Sequence, residues 1–200
     1  MDSQSGKSKG LWRRLYASVA SYAHSPDPLQ RSCNTIALLV ASNQPFYPFY
    51  IRYLVSNDGG VSFLTLLSTP LFIAIPAIAR RSPGMGLAAL PVVGLANAMV
   101  ATVAFGREAG IELFAIPCIL IAAATTLRGP RLVPVLSTMA LVIYLAVFAA
   151  IQNPLHAFSP DEIASLYRLN MFSVAGLTGY IAYSIGSALR AAPDSEPKQR

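Results

Sequence analysis

Six stretches of the chain contain no Asp, Glu, Lys or Arg: residues 32–51, 61–79, 82–106, 113–127, 132–160 and 169–189. A helix needs about 20 apolar residues to cross the hydrocarbon core of a bilayer, and five of the six windows are long enough to do so. The fourth becomes sufficient when Gly110, Ile111 and Glu112 are added, with Glu112 at the interface or facing protein. The fifth is too long for one upright helix, and Gln152, Asn153, Pro154 and His156 mark where it leaves the membrane for a loop running to about Asp161. Lipid cannot satisfy backbone N–H and C=O groups, and the two-residue alternation of a barrel strand is absent, so the windows are expected to be helices. The expected fold is all-α: a polytopic membrane bundle of six transmembrane helices over residues 32–190, between a cytoplasmic segment 1–31 and a disordered cytoplasmic tail 191–200. With 54% of residues hydrophobic and only 12% charged, against about 25% charged in soluble domains, most soluble enzymes are excluded. The net charge of +6 sits between apolar runs, so no nucleic-acid partner is expected.

Orientation follows from the basic residues, because short cytoplasmic loops are enriched in Lys and Arg. Six crossings with both ends inside put 12 of the 15 basic residues in the cytoplasm, including Arg13, Arg14, Arg31, Arg80, Arg81, Arg128, Arg131 and Arg190. The outer side receives Arg52, Arg107 and Arg168 with Asp58, Glu108, Glu112, Asp161 and Glu162. Five or seven crossings would break the alternation. The expected location is a cell inner membrane, multi-pass, with both termini cytoplasmic.

Ahead of the first window, Leu11, Trp12, Leu15, Tyr16, Val19, Tyr22 and Ala23 recur at helical spacing while Arg13, Arg14 and Ser18 fall elsewhere. This pattern reads as a short amphipathic helix on the inner leaflet, and the bland alternative is a partly disordered tail. Ser25-Pro26-Asp27-Pro28 then breaks the chain.

Polar residues inside the windows are the candidate functional groups, since each costs free energy at membrane depth unless partnered. Asn43 and Gln44 fall near the middle of the first window and Asn97 near the middle of the third; they form one candidate polar cluster, as ligand site or as inter-helix glue. Nearer the outer surface, Glu112 requires a cation, and Arg52 or Arg168 is the expected partner. Tyr47, Tyr50 and Tyr53, three apart, read as an interfacial belt or as a pocket wall.

Prolines 45, 48, 70, 76, 91, 117 and 134 are expected to bend their helices unless neighbours compensate. In the sixth window Ala175/Gly179 and Ala182/Gly186, and in the third Gly94/Ala98, place small residues four apart, a pattern that permits close helix packing and leaves a homodimer face as an alternative. Catalytic signatures are missing. His24 and His156 are expected on opposite sides of the membrane, no metal or cofactor motif is present, and Cys33 and Cys118 read as reduced apolar fillers. The two halves share no matching pattern of interrupted helices that would mark a transporter.

The stretch Phe105-Gly106-Arg107-Glu108-Ala109-Gly110-Ile111-Glu112-Leu113-Phe114, running on to Pro117, resembles the tight outer turn and following helix of bacterial membrane-associated sensor (MASE-type) domains, which precede nucleotide cyclases. The resemblance covers residues 33–190 and implies an input module that passes a change through its last helix. No cyclase sequence follows within the 200 residues, so an isolated module or a separate cytoplasmic signalling partner is expected. The reading is a non-enzymatic sensor or signal-input protein in the lipid bilayer; the alternative is a small-solute transporter or channel.

Overall fold

The computed structural model describes residues 3–127 and 129–191, with side chains from Arg13 onward. The expectations for Trp12, Arg128 and the tail beyond Ala191 fall outside what is described. Among the described residues the fold is all-α. The α-helices are α1 (Ser3–Ala23), α2 (Pro28–Asn43), α3 (Tyr47–Leu54), α4 (Thr69–Arg81), α5 (Pro83–Phe105), α6 (Ala115–Thr126), α7 (Leu132–Ala150) and α8 (Pro160–Ala191).

Among the described residues four helical stretches are long and apolar enough to cross a membrane: Gly59–Arg81, Pro83–Phe105, Leu132–Ala150 and Pro160–Ala191. This is fewer than the six expected, for two different reasons. The first window is helical but carries Asn34, Asn43 and Gln44 and changes geometry at Gln44–Phe46, a short 3-10 turn between α2 and α3. The fourth consists of a 3-10 turn, Ile111–Phe114, and the 12-residue α6. At about 1.5 and 2.0 Å per residue these reach about 26 Å, slightly short of an average hydrocarbon core.

Local chemistry explains the boundaries. Asp27 caps α2, its carboxylate accepting from Leu29 N–H at 3.2 Å and Gln30 N–H at 3.1 Å, with Pro28 in the first turn. Ser159 and Glu162 form a reciprocal capping box at the start of α8, with Ser159 N–H donating to Glu162 Oε2 at 2.8 Å. Gly106 and Gly110, at φ +91° and +74°, close the tight turn after α5. The carbonyls of Val103 and Ala104, at the end of that helix, accept from Leu155 N–H and His156 N–H at 3.0 and 3.3 Å. Of the seven prolines expected to bend their helices, Pro76 and Pro91 lie in α-helix interiors. The others sit in first turns or 3-10 segments, where no helical N–H bond is lost, so the expected bends are fewer.

α5 is the central helix, packed on α2, α4, α6, α7 and the 3-10 segment Gly59–Ser68. Apart from Asn97 and Thr102 its side chains are all apolar, as befits a surrounded helix. Two buried clusters stack along it. One gathers Leu29, Ile36, Phe72, Ile75, Leu90, Ile121 and Ile185. The other gathers Ile51, Leu95, Phe105, Ile111, Tyr144 and Leu166. Cys33 belongs to the first and Cys118 to the second, and both are unbridged.

The chain's charged ends separate along the same axis. At one end Tyr22 and Arg80 meet, Arg80 lying 4.6 Å over the Tyr22 ring and donating to Tyr22 O at 3.1 Å. Arg31, Ser187 and Ala191 share a surface depression there, and Gly84 abuts Pro130. At the other end the 106–110 turn meets Pro154 and Tyr167.

Candidate functional site

Between the two clusters lies a cavity of about 520 Å³, bounded by α2, α3, α5, α8 and the 3-10 segments Gln44–Phe46, Gly59–Ser68 and Ile111–Phe114. Its floor is polar because two helices change geometry side by side. One change is Gln44–Phe46. The other is the long 3-10 segment Gly59–Ser68, in which Ser62 Oγ donates to Gly59 O, Thr65 Oγ1 to Ser62 O and Ser68 Oγ to Thr65 O, each reaching back three residues. These hydroxyls are buried, and a three-residue repeat stacks them on one face of a three-residue turn.

Gln44 joins the two segments. Its Nε2 lies 3.2 Å from Thr65 O, 2.6 Å from Ser68 Oγ and 3.3 Å from Asn97 Oδ1, and its Oε1 accepts from Thr69 Oγ1 at 2.8 Å. Ser68 Oγ also lies 2.7 Å from Asn97 Oδ1, so its single proton serves either Asn97 or Thr65 O. Of the three amides expected to cluster, Gln44 and Asn97 are brought into contact, whereas Asn43 is exposed on the cavity wall and joins neither. Near this floor Tyr47 donates to Asn170 Oδ1 at 2.7 Å, and Asn170 Nδ2 donates to Ala109 O at 2.8 Å, tying α3 and α8 to the 106–110 turn.

The expected ion pair is not formed. Arg52 and Arg168 are both exposed, Arg168 Nη2 lies 3.2 Å from Ser165 Oγ, and Glu112 Oε2 is buried without a hydrogen-bond partner. Sequence spacing put all three residues at helix mouths but did not set the rotational phase of their helices. Arg107, by contrast, stacks 5.0 Å from the Phe148 ring. The tyrosine triplet divides. Successive members turn about 60° around a helix, so Tyr47 and Tyr50 line the cavity while Tyr53 is 82% exposed.

Small residues behave differently in the two places where they recur. A Cβ at Gly94 would lie 2.6 Å from Cys118 Sγ, so α5 and α6 do use this glycine for close contact. On α8, a Cβ at Gly176 or Gly179 would meet nothing within 4 Å. The expectation that this α8 stripe packs internally is therefore corrected.

Sequence reading missed Thr65, Ser68, Thr69, Asn170, Ser173 and Tyr180. The Ser62, Thr65, Ser68 triplet carried a legible signal in its three-residue repeat, and Asn170 was an amide in an apolar window like Asn97.

The chain matches no protein-family model, no curated protein and no solved structure.

Proposed function

We propose that this is a six-pass integral membrane protein of an inner membrane, with both ends cytoplasmic, acting as a non-enzymatic signal-input module whose ligand cavity is read out by α8. Four helices suit a membrane by length and apolarity. The first window and the short helix ahead of α7 complete the count when their polar and short segments are shielded by protein, as irregular backbone at membrane depth requires. The clustering of Arg31, Arg80 and Arg190 with the α1 end opposite the acidic turns supports the orientation. α1, with Leu15, Tyr16 and Val19 exposed, suits the inner interface.

The observation that carries the sensor reading is that α8 walls the cavity through Ser173, Gly176, Leu177 and Tyr180 and continues without a break to Arg190 at the basic end. A ligand touching this wall can favour one position of the helix over another, which is the requirement for a switch. The MASE-type resemblance points the same way.

The test uses a side chain as a stand-in for ligand. Gly176→Leu projects into the cavity, and spin labels on Leu127→Cys and Ala191→Cys report the basic end of α8 by pulsed dipolar spectroscopy. A shifted distance distribution is expected. An unchanged distribution, with the cavity filled and the protein folded, contradicts signal transmission.

A transport reading is favoured by one specific feature, the two helix discontinuities meeting at Gln44. Proteoliposomes that swell in glycerol or urea, and stop swelling on Asn97→Leu, would select it.

A further inference from the structure

Resting on the reading of this cavity as a ligand site, we propose that its occupant is an uncharged lipophile bearing a hydrogen-bond acceptor, such as a carbonyl oxygen, which enters sideways from the bilayer and binds Asn97 Nδ2.

The amide network sets the polarity of the site. Thr65 O can only accept, so the nitrogen of Gln44 must face it. That nitrogen also lies 3.3 Å from Asn97, so the oxygen of Asn97 must face Gln44. Asn97 Oδ1 is then the atom that faces Gln44 Nε2, with Ser68 Oγ 2.7 Å away, and Asn97 Nδ2 is left with two protons and no hydrogen bond among the described residues, on the cavity wall. Asn43, exposed on the same wall, likewise has no side-chain hydrogen bond. Free amide donors at membrane depth are costly until an acceptor arrives.

Charge narrows the class. None of the cavity-lining residues is Asp, Glu, Lys, Arg or His. A carboxylate or ammonium group placed there would be desolvated without a counter-charge. Shape gives the route. Leu39, Phe46 and Tyr50 on one rim and Tyr180 on the other are 37–55% exposed, so the mouth opens through the side of the bundle between α2/α3 and α8. The volume lies within the range of small-molecule pockets. Two sources share this chemistry: a free lipophile with a ketone or quinone oxygen, and the acyl ester of a membrane glycerolipid.

The test places the whole chain in nanodiscs of ether-linked phospholipid, which has no carbonyl, and measures saturable binding of radiolabelled 2-tridecanone, tridecane and dodecanoate. One site is expected, binding the ketone about fivefold more tightly than the alkane, the size of one net hydrogen bond, with dodecanoate weakest. Asn97→Leu should level ketone and alkane. Gly176→Leu, which occupies open space, should abolish both while leaving the melting temperature unchanged. Repeating the measurement in ester-linked lipid assigns the source, and both results uphold the class: weaker ketone binding identifies the glycerolipid ester, unchanged binding the free lipophile. Equal affinity for ketone and alkane, or preference for dodecanoate, in the unmutated chain overturns the proposed class and leaves the ligand cavity standing. Ketone binding untouched by Gly176→Leu removes the cavity itself, and the sensor reading with it.

Discussion

Gln44 Nε2 and Asn97 Oδ1, 53 residues apart in the chain, face each other at 3.3 Å across the junction of two interrupted helices. That contact, with Ser68 and Thr69 around it, closes the polar floor of the cavity and holds α2, α4 and α5 at one level.

Gln44→Leu should therefore destabilise the bundle. Hydrogen bonds between membrane helices average about 0.6 kcal/mol each, and this change removes three or four while orphaning Thr69. A loss of about 1–3 kcal/mol is expected, read as a lower unfolding midpoint in mixed micelles. A midpoint equal to that of the native chain would show the network to be energetically silent.

Gly94→Ala should cost about 1–3 kcal/mol through overpacking, because its Cβ would lie 2.6 Å from Cys118 Sγ. Removing the sulfur in the double variant Gly94→Ala/Cys118→Ala should recover part of the loss. Gly176→Ala, with open space around it, should be close to neutral. Strict additivity of the first pair in thermal melts would argue against the contact.

Gly110→Ala should destabilise by at least about 1–2 kcal/mol, the cost of a left-handed conformation for an L-residue. Its φ is +74°, and an added Cβ would lie 2.8 Å from the Tyr167 ring. Gly60, which has no such neighbour, is the control, and Gly60→Ala should leave the midpoint within experimental error.

How much of this was legible in the sequence depends on what each feature needs. Helix ends were readable where a cap announced them: Asp27-Pro28 starts α2, and Gln152-Asn153-Pro154 follows the end of α7. The contact between Gln44 and Asn97 was readable because both are amides inside uncharged, apolar windows, where an unpartnered polar group is costly. Rotational phase was not readable. Glu112 required a cation by residue type, yet whether Arg52 or Arg168 faced it depended on 3-10 turns that shift the phase between segments. The same limit hid the α8 stripe, since small residues four apart show that contact is permitted and do not show that a neighbour is present.

Acid should loosen the start of α8. The uncharged window of this 32-residue helix is residues 169–189, and Glu162 lies ahead of it. There the Ser56 hydroxyl, then the Ser159 N–H and hydroxyl, hold the Glu162 carboxyl below its ordinary range. A folded-state value below the unfolded one contributes stability that is present above the ordinary carboxylate range and is lost as pH falls through the folded value. The protection factor of the first turn of α8, which is its hydrogen exchange normalised to the intrinsic rate at each pH, should fall at acidic pH, and Glu162→Gln should remove that dependence. A protection factor that stays flat with pH in the native chain would contradict the capping role.

The proposal that six crossings bring the basic segments to one side and the acidic turns to the other is tested most directly by single-cysteine labelling with an impermeant maleimide in intact cells. Cys33 and Cys118 are 0% and 7% exposed, so the native background should be low. Asp58→Cys, Glu108→Cys and Asp161→Cys should label from outside, and Leu127→Cys and Ala191→Cys only after permeabilisation. Glu108→Cys and Leu127→Cys reacting from the same side would mean that the short helix between them does not cross, and the proposed arrangement would be wrong.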